Sequence, residues 1–382
     1  MALAGCGGSD SGSNTTGSSN AFTIYASLGL SGPLAAPAAA NVAALKAAAE
    51  VVNKDGGIDG RMVRIVTKDD GLDPAKATTL LQEQLDKGSI DLVVAGSTSN
   101  VGLALISALT REGIVSSGQQ ATLNDGEKYP YHFGMVVPNK TQVQALVDEI
   151  VKSGAKKVAM LHSNDANGQA VAEAYASALD TAGATMADAA YAPNDVDMTA
   201  QLQALESEDP DVLVLQGLGP VAGYALKSRT KLGWNIPTYG HADFGSIDLS
   251  QVSGPSDWDN VKILAYYPLP EDAPRSAGYQ QMLDTLSAAG TKIDQPISQY
   301  AVMWDLVFLA KAAWESSESD DAEDLKAAWL ELEEKGGSDS PYVFMPSYRF
   351  QTSHHQFDID PADAMTVVSP RPIVNGLITS SK

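Results

Sequence analysis

The chain has 382 residues, 47 acidic and 25 basic, for a formal net charge of −22, and 44% of its residues are hydrophobic. That length and apolar content supply the cores of two domains or two lobes, while the acidic balance excludes nucleic acid, whose phosphates need a basic face. Cys6 is the single cysteine, so no internal disulfide is possible and stability outside the cytosol must come from packing. Leu3-Ala4-Gly5-Cys6 reads as the end of a bacterial lipoprotein signal, cut before Cys6, whose thiol would carry a diacylglyceryl group. Two or three acyl chains on one residue anchor firmly, each buried methylene contributing about 0.8 kcal/mol. Gly7 to Asn20 is a Gly/Ser-rich stretch too polar to bury a core, so residues 1–21 are read as signal remnant and flexible tether. The competing reading, an ordinary buried thiol, would need apolar residues around Cys6. Only five residues precede Cys6, which leaves no room for basic and apolar signal regions, and a trimmed start is expected. No uninterrupted apolar run of spanning length is seen, so the chain is not expected to cross a bilayer.

Strand-like and helix-like runs then alternate. Phe22–Leu28 reads as a strand, Leu34–Asn53 as an Ala-rich helix, Gly56 to Gly60 as a turn and Met62–Thr67 as a strand. Asp73-Pro74 supplies an N-cap and a first-turn proline for a helix to Lys87. Strand Leu92–Ala95, a helix from Asn100 to Glu112 and strand Ile114–Ser116 follow. Next come helix Thr141–Ser153, strand Lys157–His162, helix Gln169–Ala182, strand Val212–Leu215, helix Val221–Leu232 and strand Thr238–Tyr239. Repeated βα units imply α/β architecture, with parallel sheets covered by helices on both faces. The alternation breaks after strand Val261–Tyr267, where helices Ser276–Ala288, Ile297–Ser316 and Ala322–Glu334 run with little between them. Ser317–Asp324 reads as an exposed connection, and Tyr342 to Ile378 as strand and loop.

Six short motifs occur in order between Leu30 and Val212, and the resemblance they carry covers about residues 22 to 375. They are Leu30-Ser31-Gly32-Pro33-Leu34-Ala35, the turn Val52 to Gly60, Asp69-Asp70 with Asp73-Pro74, Gly96-Ser97-Thr98-Ser99, Asp195-Val196-Asp197-Met198 and Asp209-Pro210-Asp211-Val212. Their order and gaps resemble the type I periplasmic binding proteins, within them the Leu/Ile/Val-binding branch of ABC-transporter solute receptors. The resemblance implies two Rossmann-like lobes joined by a three-segment hinge, with crossings near Met135–Pro138, Tyr266–Pro270 and Tyr342–Pro346. The N-terminal lobe would hold residues 22–136 and 268–343, the C-terminal lobe 137–267 and 344–382. A small ligand would sit between them at the carboxyl ends of strands and be enclosed by hinge closure.

For the ligand contacts, the resemblance points first to Thr98 and Ser99, where a serine hydroxyl and helix N-terminal amides would hold a carboxylate. A plain N-cap satisfies the same groups. Gln119, Gln120 and Ala121 fall where relatives present backbone groups and a hydroxyl; a glutamine amide can donate and accept, but an exposed polar loop fits equally. Asn167 stands where relatives often carry an aromatic residue, and a loop asparagine before Gly168 is the competing reading. Asp243 lies one residue beyond the position where amino-acid receptors carry a carboxylate for the ligand ammonium, so either the loop shifts or the ligand has no ammonium. Leu218 and Pro37 would add apolar walls.

Other chemistry finds little support. His354-His355 lacks a further metal ligand at the right spacing and reads as a solvated loop. Asp69-Asp70 reads as solvated or capping acids. No nucleophile elbow, P-loop or dinucleotide fingerprint occurs, and no cofactor, metal or catalysis is expected. The expectation is a monomeric, lipid-anchored extracytoplasmic receptor delivering an amino acid or an organic or aromatic acid to an ABC permease. A ligand-sensing module with the same cleft and no permease is the alternative.

Overall fold

The structure, a computed structural model, describes residues 21–121, 123 and 125–379; Cys6 and the expected tether lie outside the described residues. The first half is built from β1 (Phe22–Leu28), α1 (Ala35–Lys54), β2 (Val63–Asp69), α2 (Pro74–Leu85), β3 (Leu92–Ala95), α3 (Ser99–Glu112), β4 (Ser116–Gly118) and β5 (His132–Gly134). These strands form a sheet in the order β2-β1-β3-β4-β5, all parallel. Every residue of β1 is buried. A strand covered on both faces needs apolar or small residues throughout, which Phe22–Leu28 supplies. At α2 the predicted cap is present: Asp73 Oδ1 accepts from Ala75 N at 2.8 Å and Lys76 N at 3.1 Å, with Pro74 at the first helical position.

The second half holds α4 (Asn139–Lys152), β6 (Lys157–Ser163), α5 (Ala166–Thr181), β7 (Thr185–Tyr191), α6 (Thr199–Glu206), β8 (Val212–Leu215), α7 (Val221–Leu232), β9 (Thr238–Gly240) and β10 (Val261–Tyr266). The chain then adds α8 (Ala277–Ala288), α9 (Ile297–Ser316), α10 (Ala322–Glu331), β11 (Glu333–Lys335), β12 (Ser347–Arg349), α11 (Pro361–Ala364), β13 (Met365–Val368), β14 (Ile373–Val374) and β15 (Leu377–Ile378). The second sheet runs β13-β10-β9-β8-β6-β7, parallel except for β13, which pairs antiparallel with β10. This is the expected α/β fold of two lobes.

Helix α9 returns to the first lobe and packs along α1; it is apolar on nearly every face because it is buried all round. Its partner brings a correction. Gly32–Lys54 is, by length and composition, a helix long and apolar enough to cross a membrane. In the fold it is a core helix of the first lobe, its alanines lying against α9.

Three further differences have physical causes. Strand β7, helix α6 and strand β5 escape a periodicity reading. Thr185–Tyr191 is alanine-rich with an internal aspartate, at the edge of its sheet, where β-propensity is a poor guide. The chain still packs on the first lobe beyond Tyr342–Pro346, where the third crossing is expected. β12 pairs with β11, and Phe350 stacks edge-on to Phe133 and Trp329, so the chain stays with the first lobe until α11 meets α4. Asp70 is not solvated: it is 0% exposed and accepts from Ser27 Oγ at 2.9 Å and Leu72 N at 2.8 Å. Burial raises its carboxyl above the usual range.

Candidate ligand-binding cleft

Between the sheets lies a cavity of about 160 Å³, near the size of an engineered cavity that holds one benzene molecule. Its walls follow the carboxyl ends of strands in both lobes: β3, β4 and β5 on one side, β6, β7, β8, β9 and β10 on the other. Open α/β sheets bind ligands at this edge.

The first lobe contributes Ser97, Thr98, Ser99 and Asn100. Gly96 makes the turn possible: its φ is +78°, and a Cβ there would sit 2.7 Å from Val101 Cγ1. Thr98, in extended backbone, is the N-cap of α3, and its side chain makes no capping bond. Ser99 is therefore the first helical residue and not the cap of a helix beginning at Asn100. The first turn of a helix leaves N–H groups without intrahelical acceptors, and here that turn faces the cavity. Gln119, Gln120 and Ala121 also line it. Gln120 is a buried strut rather than a loose loop residue; its Nε2 donates to Ala95 O at 2.8 Å and Gly96 O at 2.7 Å, tying β4 to the β3–α3 turn.

The second lobe contributes the carboxylates. Asp165 caps α5, its Oδ1 accepting from Gly168 N and Ser163 Oγ, both at 2.8 Å. Asp243 is different. Its Oδ2 accepts from Gln216 Nε2 at 2.6 Å and more weakly from Asn167 Nδ2 at 3.4 Å, two neutral donors. Gln216 is fixed in turn by Ser163 N, which donates to its Oε1 at 3.0 Å. Tyr191 and Tyr266 line the same space; burial raises both phenols well above their ordinary range, and the Asp243 charge adds to it. His241 beside Asp243 is no charge partner, because burial lowers its pKa. Among the described residues lining the cavity there are two carboxylates and no Lys, Arg or His.

The predicted residues thus meet, with one exception. Thr98, Ser99, Gln119, Gln120, Ala121, Asn167, Leu218 and Asp243 line one cavity, Leu218 at its rim with 39% exposure. Pro37 sits in the first turn of α1 and is not among the lining residues. Sequence reasoning missed Tyr191, Gln216, Ser298 and Phe344 as lining residues. The first two could have been found by asking what stands at each strand's carboxyl end. Ser298 and Phe344 come from α9 and the segment before β12, which no strand-end rule reaches. His355 is likewise not a solvated residue: it is 2% exposed and stacked on Phe133 with centroids 4.8 Å apart. Burial lowers its pKa to about 4.

Residues 24–368 match the periplasmic binding protein family. A Leu/Ile/Val-binding protein homolog of Brucella melitensis is 25% identical over 248 residues, 63% of this chain and 67% of that protein. A type 1 periplasmic binding protein from Bordetella pertussis superposes with a TM-score of 0.79 at 19% identity, covering 91% of this chain and 96% of its own. The branched-chain amino acid transporter substrate-binding protein of Streptococcus pneumoniae, in complex with isoleucine, gives 0.73 at 20% identity, covering 92% of this chain and 100% of its own. Sequence match, two-lobe topology and interlobe cavity agree: the chain belongs to the periplasmic binding protein family, with the type I fold and similarity to its Leu/Ile/Val-binding branch.

Proposed function

We propose that the chain is an extracytoplasmic solute receptor that closes on a small zwitterion, an α-amino acid or a close analogue, and delivers it to an ABC permease. The observation that carries this reading is Asp243, a carboxylate at the cavity wall with two amide donors and no cation. A charge so placed favours a ligand that brings its own positive group. The ligand carboxylate would lie opposite, at Thr98, Ser99 and the first turn of α3, where hydroxyls and helix N–H groups suit an anion. Gln119, Gln120, Ala121 and Asn167 would frame the head group, and Leu218 would shield the rim. The isoleucine of the Streptococcus neighbour is one amino acid that a protein of this fold holds. No turnover is expected: the cavity supplies binding groups, and the Ser163–Asp165 hydrogen bond on its wall belongs to the cap of α5. Anchoring through a lipidated Cys6 and action as a monomer complete the proposal.

The test is a thermal-shift and calorimetric screen of amino acids against simple organic and aromatic acids, because a ligand stabilises the folded state by RT ln(1 + [L]/Kd). Amino acids should raise the melting temperature. A response confined to acids without an ammonium would overturn the zwitterion reading. Membrane retention of Cys6→Ser would overturn the anchor.

A further inference from the structure

We infer that the cleft holds a second polar subsite on its hinge side, built for the carboxamide of a ligand side chain; this rests on the zwitterion reading for the other end of the ligand. Ser298 is the second residue of α9, lines the cavity and is 3% exposed. Its Oγ has no hydrogen-bond partner among the described residues. Gln142, in the first turn of α4 just beyond the first crossing, also lines the cavity and is 2% exposed. Its Nε2 donates to Val137 O at 2.6 Å, while its Oε1 has no partner among the described residues. Buried polar atoms are nearly always paired in folded proteins, so orphans on a cavity call for a missing partner; Gln119 Nε2 and Gln120 Oε1 are two more on the head-group side, while Ser298 Oγ and Gln142 Oε1 lie on residues that the head-group reading does not use.

Their chemistry says which partner. A hydroxyl at a helix N-terminus donates best to an oxygen bearing partial negative charge. Gln142 Oε1 can only accept, so it needs an N–H or O–H donor. A primary carboxamide carries both groups in one plane. A carboxylate would set acceptor against acceptor at Gln142, inside a lining that already holds two acids and no cation. An aliphatic side chain would leave both orphans buried. Tyr266, whose phenol adjoins the Gln142 amide, and Phe344 also line the cavity. Their ring centroids are 5.2 Å apart, and they give the ligand's methylenes apolar walls.

Calorimetry on the whole chain decides it, with L-glutamine, L-leucine, L-glutamate and butyramide as probes. L-Glutamine should bind about a hundredfold tighter than L-leucine, since a site built to hydrogen-bond a polar group strongly rejects the analogue lacking it. Ser298→Ala should weaken L-glutamine roughly tenfold and leave L-leucine unchanged or tighter. L-Leucine binding as tightly as L-glutamine, or Ser298→Ala weakening both alike, would overturn the subsite. If L-leucine binds in an Asp243-dependent way with no preference for L-glutamine, the zwitterion reading stands and the subsite falls. If no amino acid binds but butyramide does, and loses affinity in Ser298→Ala, the subsite stands and the zwitterion reading falls. Binding of none of the four overturns both.

Discussion

The two lobes face the same cavity with different chemistry. The wall from the first lobe is uncharged: hydroxyls of Ser97, Thr98 and Ser99, the amides of Gln119 and Gln120, and the start of a helix. The wall from the second lobe holds both carboxylates, Asp165 and Asp243, and the phenols of Tyr191 and Tyr266. A helix N-terminus carries partial positive charge, so the pair of walls is polarised across the gap. A zwitterion fits such a gap in one orientation, and each lobe alone offers only half of the recognition. Ligand energy is then available to draw the lobes together, which is what hinge closure requires.

Asp243→Asn gives the largest expected effect. Losing one charge of a desolvated pair costs several kcal/mol, so affinity for an amino acid should fall about a hundredfold by calorimetry. For an acid without an ammonium, the same change should tighten binding, because a repelling charge is gone. An affinity unchanged for every ligand would show that the second lobe's charge plays no part in recognition. On the opposite wall, Ser99→Ala should cost about tenfold, one charge-assisted hydrogen bond. If Ser99→Ala exceeds Asp243→Asn in effect, the division of labour between the lobes is reversed.

Much of this polarity is legible in the amino-acid sequence. Strand runs such as Leu92–Ala95 and Val212–Leu215 are buried on both faces, so their apolar continuity is visible there. Polar residues follow such strands, and Ser99 and Asn167, in the first turns of α3 and α5, and Gln119, just past β4, do reach the cavity. What local patterns hide depends on distance along the chain. Ser298 and Phe344 reach the cavity only because α9 packs on α1, a contact between segments more than two hundred residues apart. The partners of Asp243 are hidden for the same reason. Gln216 lies 27 residues away and Asn167 lies 76 away, and no local pattern joins them.

The first lobe does carry a buried acid, and it is walled off from the ligand. Asp305 on α9 accepts from Val343 N at 2.7 Å, Phe344 N at 2.8 Å and Tyr348 Oη at 2.6 Å, fixing the segment that presents Phe344 to the cleft. Burial raises its carboxyl from 3.8 to about 7. Between those values the folded chain holds a proton that the unfolded chain has released. The stability this group contributes is therefore complete at low pH and is lost as pH rises through about 7. Asn cannot titrate, and its NH₂ would face a main-chain N–H. Asp305→Asn should thus be less stable than wild type, with a wider gap near about pH 5 than near about pH 8 in denaturant titrations. A gap that is constant with pH would mean that Asp305 stays ionised throughout.

The smallest effect tests how far the first lobe's wall extends. Pro37 is in the first turn of α1, where a missing N–H costs the helix nothing and proline is well tolerated. Alanine accepts the same backbone, so Pro37→Ala should change stability by no more than about 1 kcal/mol, mostly through the freer unfolded chain. Its affinity for an amino acid should stay within about twofold of wild type, since Pro37 does not line the cavity. A loss of about tenfold with unchanged stability would be a different result. It would mean that closure carries the start of α1 onto the ligand, and that the first lobe contributes an apolar wall beside its hydroxyls and amides. The uncharged character of that lobe would survive, but the pocket it offers would be larger than the cavity between the sheets.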